Sequence, residues 1–169
     1  KCISFLTIEN KGAIPYELRP LMGDWIFGCD ICQDICPVND KSDMPQNMMF
    51  TEKITSYLDL VEILYMSQEQ FSIRFSRSPI KRAKLRGLQR NACVALGNSK
   101  QKEGISALIK TLKNNESELV RGHSAWALGE INTMECQNAL KLCLEYEENQ
   151  STVISSASHN AYKNDFDWI

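Results

Sequence analysis

The sequence lacks the features that mark several large classes of protein. None of its 169 residues belongs to an apolar stretch approaching the roughly 20 residues that a membrane-spanning helix needs, and we expect no secretory signal. We find no Gly-rich phosphate-binding loop, no nucleophile elbow and no His-rich metal site, and histidine occurs only 2 times. These absences argue against membrane spans, nucleotide-binding loops and serine-nucleophile hydrolases.

Acidic residues are missing from one long window of the sequence. None occurs between Glu69 and Glu103, whereas nine of the 19 lysines and arginines lie there. The rest of the chain has ten basic against 21 acidic residues, a balance of −11. Solvated helix faces usually mix both signs, so the window predicts a surface that binds a polyanion. Its basic residues are Arg74, Arg77, Lys81, Arg82, Lys84, Arg86, Arg90, Lys100 and Lys102.

Four of the 7 cysteines have the spacing of metal-cluster ligands. Cys29, Cys32 and Cys36 are separated by two and three residues and followed by proline, and Cys2 lies upstream. This fits the last three members of the C-x2-C-x2-C-x3-C-P run of two-cluster ferredoxins, whose fourth cysteine binds the other cluster. The sequence therefore predicts Cys2, Cys29 and Cys32 on one [4Fe-4S] cluster and Cys36 on a second. Because each cluster needs four thiolates, we expect the remaining ligands upstream of Lys1.

Three other interpretations of these cysteines stay open. Zinc also accepts four thiolates at such spacing, although its sites usually pair two C-x-x-C hooks. A dithiol redox pair at Cys29 and Cys32 would need a βαβ context, which the flanking sequence does not offer. A disulfide framework ranks lowest. The other cysteines fall on apolar helix faces and are predicted to lie in the core: Cys93, Cys136 and Cys143.

Local patterns predict an irregular first region and a helical remainder. Residues 3–8 are apolar and β-branched, which predicts an extended segment, and residues 38–50 predict a surface linker. Ser67 with Gln70 predicts a capping box. Ser78 before Pro79 predicts the start of a helix with cationic first turns. That placement is unfavourable with the helix dipole, so we expect these charges to have a partner outside the chain.

A repeat organises the second part of the sequence. Residues 90–97 resemble residues 122–129 at a period of 32, with an amphipathic helix predicted over 105–112 between them. We expect a degenerate third copy at 153–162, a packing or surface role for His123, and a core role for Trp126. Two-helix units at such a period are typical of an α-solenoid. The predicted fold is mainly α: a ferredoxin-like iron–sulfur loop region in residues 1–50, followed by a short HEAT-like α-solenoid lobe in residues 51–169, capped by Phe166 and Trp168.

Two stretches together resemble the epoxyqueuosine reductases. Residues 2–12, 14–15, 19–23 and 27–37 resemble the second cluster motif of that family, and residues 71–98 resemble its entry into C-terminal HEAT-like repeats. The resemblance implies a cytoplasmic oxidoreductase that reduces the epoxide of epoxyqueuosine in tRNA to queuosine, using cobalamin and two [4Fe-4S] clusters. It implies that the cobalamin pocket and the proposed acid lie in an N-terminal domain absent here. We therefore expect no catalytic residue in this sequence, and no activity from this portion alone.

The resemblance also implies roles for individual residues. It makes the four cysteines cluster ligands, in agreement with their spacing, and brings Ser4 and Asp30 near cobalamin. Its expected partners are the tRNA anticodon arm and a separate electron donor, for a monomer with no membrane contact. The alternative is a HEAT-repeat protein-interaction module with a structural four-cysteine zinc site. The residues predicted to bind tRNA are Lys11, Arg74, Arg77, Lys81, Arg82, Lys84, Arg86 and Arg90.

Overall fold

The computed structural model describes residues 2–39 and 59–146, and within these ranges the chain is helical and has no strand. The predicted mainly α fold class is thereby confirmed. No helix in these ranges has the length and hydrophobicity to cross a bilayer. Residues 40–50 of the predicted linker, the third repeat copy and the expected cap lie outside the described residues. The α-helices are α1 (Ile31–Asp34), α2 (Leu60–Tyr65), α3 (Gln68–Arg74), α4 (Lys84–Ser99), α5 (Ile105–Asn114), α6 (Glu118–Ile131) and α7 (Met134–Tyr146).

The predicted repeat corresponds to two stacked helix pairs. The two similar sequence segments lie in α4 and α6, which pack along each other, while α5 and α7 form the second layer. Small residues allow this close approach, because a Cβ built on Gly97 would lie 2.9 Å from the Cα of Ala127 and 2.9 Å from a ring carbon of Trp126. The predicted core residues Cys93 and Cys136 are fully buried, Trp126 is nearly so, and Cys143 is half-buried.

The first segment differs from its prediction, since residues 3–8 are helical rather than extended. A π-helical turn covers Phe5–Glu9. The Thr7 hydroxyl donates to the carbonyl of Ile3 at 2.9 Å, a local bond that helical backbone makes available. A short apolar β-branched run does not distinguish a strand from a buried helix by periodicity alone. Here α4 supplies the neighbouring surface, and Leu6 and Thr7 are buried against it.

The capping predictions are confirmed, but the helix after Ser78 is interrupted. Ser67 and Gln70 form the capping box, and the Ser78 hydroxyl accepts from the N–H of Ile80 at 3.3 Å. A 3₁₀ turn then covers Pro79–Ala83, and α4 begins at Lys84 with φ +61° and ψ 160°. Lys81 and Arg82 therefore occupy the 3₁₀ turn, Lys84 the junction and Arg86 the first turn of α4, rather than one continuous helix.

Candidate functional site

The four cysteines predicted as ligands lie in loops and short turns of the first segment. Cys2 precedes the first helical turn, and Cys29, Cys32 and Cys36 lie in and around α1. All four thiols are free; those of Cys2 and Cys32 belong to exposed residues, and those of Cys29 and Cys36 to half-buried ones. Free, reachable thiols are a donor set that suits iron–sulfur clusters.

A threonine connects the two parts of this ligand set. The N–H of Gly28, just before Cys29, donates to the Thr7 hydroxyl at 3.0 Å. The same hydroxyl donates to the carbonyl of Ile3, next to Cys2. Gly28 has φ +77°, a left-handed conformation that glycine adopts without strain. Thr7 thus fixes the chain beside Cys2 relative to the turn before Cys29.

The cysteines are not arranged around a single metal ion. Within residues 2–39 and 59–146, no three His, Cys, Asp or Glu side chains are gathered as ligands of one ion. Around one zinc ion, thiolate sulfurs stand only about 4 Å apart, whereas a cluster binds each thiolate through a different iron atom. The alternative zinc site is therefore not preformed in these ranges. Cluster ligation by the four cysteines stays a prediction that their chemistry fits.

A buried arginine of α4 holds the segment that follows Cys2. The Arg90 guanidinium donates to the carbonyls of Leu6 at 2.7 Å, Asn10 at 2.8 Å and Gly12 at 2.7 Å. Its side chain is 0% exposed, and burial lowers the pKa of Arg90 to about 10, so it stays charged at neutral pH. The prediction that Arg90 contacts tRNA is wrong, because its donors bind carbonyls inside the protein.

The next residue extends this anchor to the cysteine loop. The Asn91 amide donates to the carbonyls of Thr7 and Ile26, each at 2.8 Å. Its side-chain oxygen accepts from Arg90 at 3.0 and 2.8 Å, which orients both side chains. Two consecutive residues of α4, Arg90 and Asn91, therefore bond to the backbone of both cysteine-bearing stretches, the one after Cys2 and the one before Cys29.

A buried histidine of α6 also hydrogen-bonds to the backbone of the first segment. The N–H of Ile14 donates to His123 Nε2 at 3.1 Å, and His123 Nδ1 lies 2.7 Å from the carbonyl of Leu119, to which it donates. Burial, with the charge of Arg19 nearby, holds the pKa of His123 well below its ordinary value. His123 is thus neutral, and the predicted packing role is confirmed.

Sequence reasoning missed this set of anchors. Asn98 completes it by donating to the carbonyls of Arg19 at 2.9 Å and Gly23 at 2.7 Å. A usable signal was present, because Arg90 and Asn91 open a repeat segment that continues as a fully buried apolar run. Polar side chains on a buried helix face need hydrogen-bond partners, and here the partners are backbone carbonyls.

The other predicted tRNA contacts lie on the surface. Arg74 pairs with Glu62, and Arg82 pairs with Glu9. Arg82 thus has a partner within the chain, and the expectation that the cationic turn also has a partner outside it stays a prediction. The basic residues of the window that are exposed are Arg74, Arg77, Lys81, Arg82, Lys84, Arg86, Lys100 and Lys102.

Three further predicted residues lie near the cysteine segment. Lys11 is exposed, and its ammonium donates to the carbonyls of Ile8 at 2.6 Å and Arg82 at 2.7 Å, joining the first segment to the basic turn. Ser4 is half-buried beside Cys2, and Asp30 is exposed at the start of α1. Their contacts with tRNA and cobalamin stay predictions.

Comparison with known families and structures covers both parts of the chain. Residues 1–39 match a 4Fe-4S double cluster binding domain, and residues 82–158 match HEAT repeats. A structure of epoxyqueuosine reductase with a tRNA-Tyr epoxyqueuosine-modified tRNA stem loop superimposes with a TM-score of 0.80 at 28% identity, over 94% of this chain and 42% of that one.

Curated relatives agree with these matches. The epoxyqueuosine reductase of Pseudomonas aeruginosa is 42% identical over 129 residues, which are 76% of this chain and 36% of the relative. That of Escherichia coli K12 is 40% identical over 155 residues, which are 90% of this chain and 40% of the relative. The chain thus spans well under half the length of these relatives. By these matches it belongs to the epoxyqueuosine reductase family and corresponds to a C-terminal portion of its members.

Proposed function

We propose that this chain supplies cluster ligands and an RNA-binding surface to an enzyme that reduces epoxyqueuosine in tRNA to queuosine. The observation that carries the proposal is the superposition over 94% of the chain on a relative solved with a modified tRNA stem loop. We further propose that the enzyme is a cytoplasmic monomer served by a separate electron donor.

The chemistry divides between cofactors and protein. Removing the epoxide oxygen as water takes two electrons and two protons, and protein side chains do not supply such electrons. Bound clusters and cobalamin would supply that electron transfer. In this chain, the thiolates of Cys2, Cys29, Cys32 and Cys36 would hold the clusters. The bonds from Arg90 and Asn91 hold the stretch after Cys2 and the stretch before Cys29 in fixed positions relative to each other.

The basic turn and the start of α4 form the proposed RNA surface. Arg77, Lys81 and Lys84 are exposed and make no ion pair with any other residue in the described ranges. Free charges of this kind supply most of the affinity for a nucleic acid backbone. Lys84 also has φ +61° and ψ 160°, a conformation that costs a residue other than glycine about 1–3 kcal/mol. A lysine at such a position suggests that its side chain serves binding.

The enzymatic part is tested on the intact protein, prepared without oxygen and loaded with both cofactors. Epoxyqueuosine-containing tRNA should lose one oxygen atom from the modified nucleoside, as measured by mass spectrometry. Metal analysis should find iron and sulfide. One zinc per chain, with no conversion of the tRNA, would instead support the alternative of a HEAT-repeat interaction module.

The RNA surface is tested by comparing Lys84→Gly with Lys100→Gly. Both lysines are exposed, both have a left-handed φ, +61° and +52°, and each change removes one charge. We expect Lys84→Gly to weaken stem-loop binding roughly fivefold at physiological salt and to lower the salt slope by about one. Lys100→Gly should have a smaller effect. Since glycine relieves strain at Lys84, unfolding cannot explain the loss, and equal losses in both variants would remove Lys84 from the surface.

A further inference from the structure

A pocket of about 440 Å³ lies between the first segment and the helical lobe, and neither the cluster ligands nor the basic turn accounts for it. Lys11, Tyr16 and Arg19 line it from the first segment, Arg86 from α4, and the first turns of α6 close it. It is therefore built jointly by the part of the chain that carries the cysteines and the part that carries the repeats.

The charges around the pocket favour an anion. Among the residues that line it, Lys11, Arg19 and Arg86 contribute three positive charges and Glu118 contributes one negative charge. The carboxylate of Glu17 also lies near enough to Arg19 to act on its charge. The pocket also lies at the N-terminal end of α6, a helix of 14 residues, where the helix dipole is positive. His123 also lines the pocket but is neutral, so it leaves the positive electrostatic potential there unchanged.

A buried donor in the pocket wall has no partner. Arg19 is 2% exposed, and its Nε donates to the carbonyl of Ile14 at 2.9 Å. Its Nη1 is buried and finds no hydrogen-bond acceptor in the part of the chain that the structure describes. Buried charged donors are rarely left unpaired, because their desolvation is not repaid. Because the Arg19 side chain also lines the pocket, an anionic ligand bound there would place negative charge close to this guanidinium.

An aromatic ring gives the pocket a second recognition element. The guanidinium carbon of Arg19 lies 4.1 Å from the centroid of the Tyr16 ring and 5.4 Å from that of Trp126. The Tyr16 side chain is nevertheless 39% exposed, so part of its surface faces solvent. Aromatic rings and arginine planes are the surfaces on which proteins stack unpaired RNA bases.

We propose that this pocket binds one nucleotide of the RNA loop. Its phosphate lies against Lys11 and Arg86, and its base stacks on Tyr16, with Arg19 supplying positive charge beneath the ring. The volume of about 440 Å³ is within the range of small-ligand pockets. This inference rests on the proposed RNA-binding function and assigns to it a nucleotide site distinct from the basic turn.

The test pairs variants in the intact protein with fluorescence anisotropy on a tRNA anticodon stem loop. Tyr16→Leu removes the stacking surface but no charge. The affinity for the stem loop should therefore fall at least about fivefold, while the dependence of that affinity on salt concentration stays unchanged. Tyr16→Phe keeps the ring and removes only the hydroxyl, which interacts with Arg19, so it should keep most of the affinity that Tyr16→Leu loses. Arg86→Gln should weaken binding more than Arg77→Gln, because Arg77 is also exposed but does not line the pocket. Thermal melts establish that each variant is folded.

Stem loops made abasic at one loop position at a time identify the bound base. At the position that enters the pocket, the wild type should lose affinity and Tyr16→Leu should show no further loss. If Tyr16→Leu binds like Tyr16→Phe, and Arg86→Gln like Arg77→Gln, the nucleotide site is refuted while the basic turn stands. If the wild type does not bind the stem loop, the proposed function itself fails.

Discussion

Replacement of Arg90 tests whether α4 holds the cysteine-bearing segment in place. Arg90→Met keeps a long apolar stem but removes the donors to three carbonyls, those of Leu6, Asn10 and Gly12. The carbonyls lie in a segment about 80 residues away in sequence, and Asn91 of α4 keeps its own bond to that segment. The change therefore separates the attachment of this segment from the packing of the repeats.

The expected magnitude follows from two opposing costs. Two buried acceptors lose their donors, the carbonyl of Leu6 and the side-chain oxygen of Asn91, at about 2 kcal/mol each. The partly buried carbonyls of Asn10 and Gly12 add about 1 kcal/mol each, for a total of roughly 6 kcal/mol. Removing the charge returns part of this, because burial lowers the pKa of Arg90 from 12.5 to about 10, which corresponds to about 3 kcal/mol against the charged form. The net loss of stability should be about 3 kcal/mol, or a fall in melting temperature of roughly 10 °C.

The assay is urea unfolding of Arg90→Met beside Arg77→Met, which makes the same substitution at an exposed site. Arg77→Met should change stability by less than about 0.5 kcal/mol. In the cluster-loaded protein, Arg90→Met should also lose visible cluster absorbance at a lower temperature than it loses helical circular dichroism. Equal stability of the two variants would refute the reasoning, because it would mean that the three carbonyl bonds contribute nothing net.

Two further predictions concern packing and pH. Gly97→Ala should destabilise the protein by about 1–3 kcal/mol, because the new Cβ would overlap α6. Gly87→Ala, in the same helix, has room for its Cβ and should stabilise the protein by up to about 1 kcal/mol. Urea melts in which both variants shift alike would contradict this. His123 has a lowered pKa in the folded state, so the unfolded state binds the proton first and stability should decline below about pH 6.5, by up to about 1.4 kcal/mol per pH unit. His123→Gln should flatten this decline between pH 7.5 and 5.5, and an unchanged slope would show that another group causes it.

The parts of the fold that could be predicted are those encoded by local spacing. The period of 32 between residues 90–97 and 122–129 predicted the stacked helix pairs, and Ser67 with Gln70 predicted the capping box. The spacing of Cys29, Cys32 and Cys36 gave the cluster segment, whose match to a double-cluster domain agrees with it. In each case the interacting residues are close in sequence, or the same pattern occurs twice.

The parts that could not be predicted depend on contacts between distant residues. The first segment is helical because it packs on α4 and bonds to Arg90 and Asn91, and no pattern within residues 3–8 contains that information. Equally, the proposed nucleotide pocket requires Tyr16 and Arg19 to meet Arg86 and the start of α6. A single sequence gives no measure of such proximity when the residues are some 70 to 100 positions apart.

We propose two physical causes for the acid-free window, which a count of charges does not separate. On the exposed side, Lys84 and Arg86 extend the proposed RNA surface, where a carboxylate would lower affinity for phosphate. On the buried side, Arg90 satisfies its donors with carbonyls and needs no acid. Arg86 and Arg90 are four residues apart on one helix, a rise of about 6 Å. The arginine that lines the nucleotide pocket and the arginine that holds the cysteine-bearing segment are therefore fixed relative to each other by a single rigid element, so RNA bound at the pocket would have a defined position relative to the cluster loops.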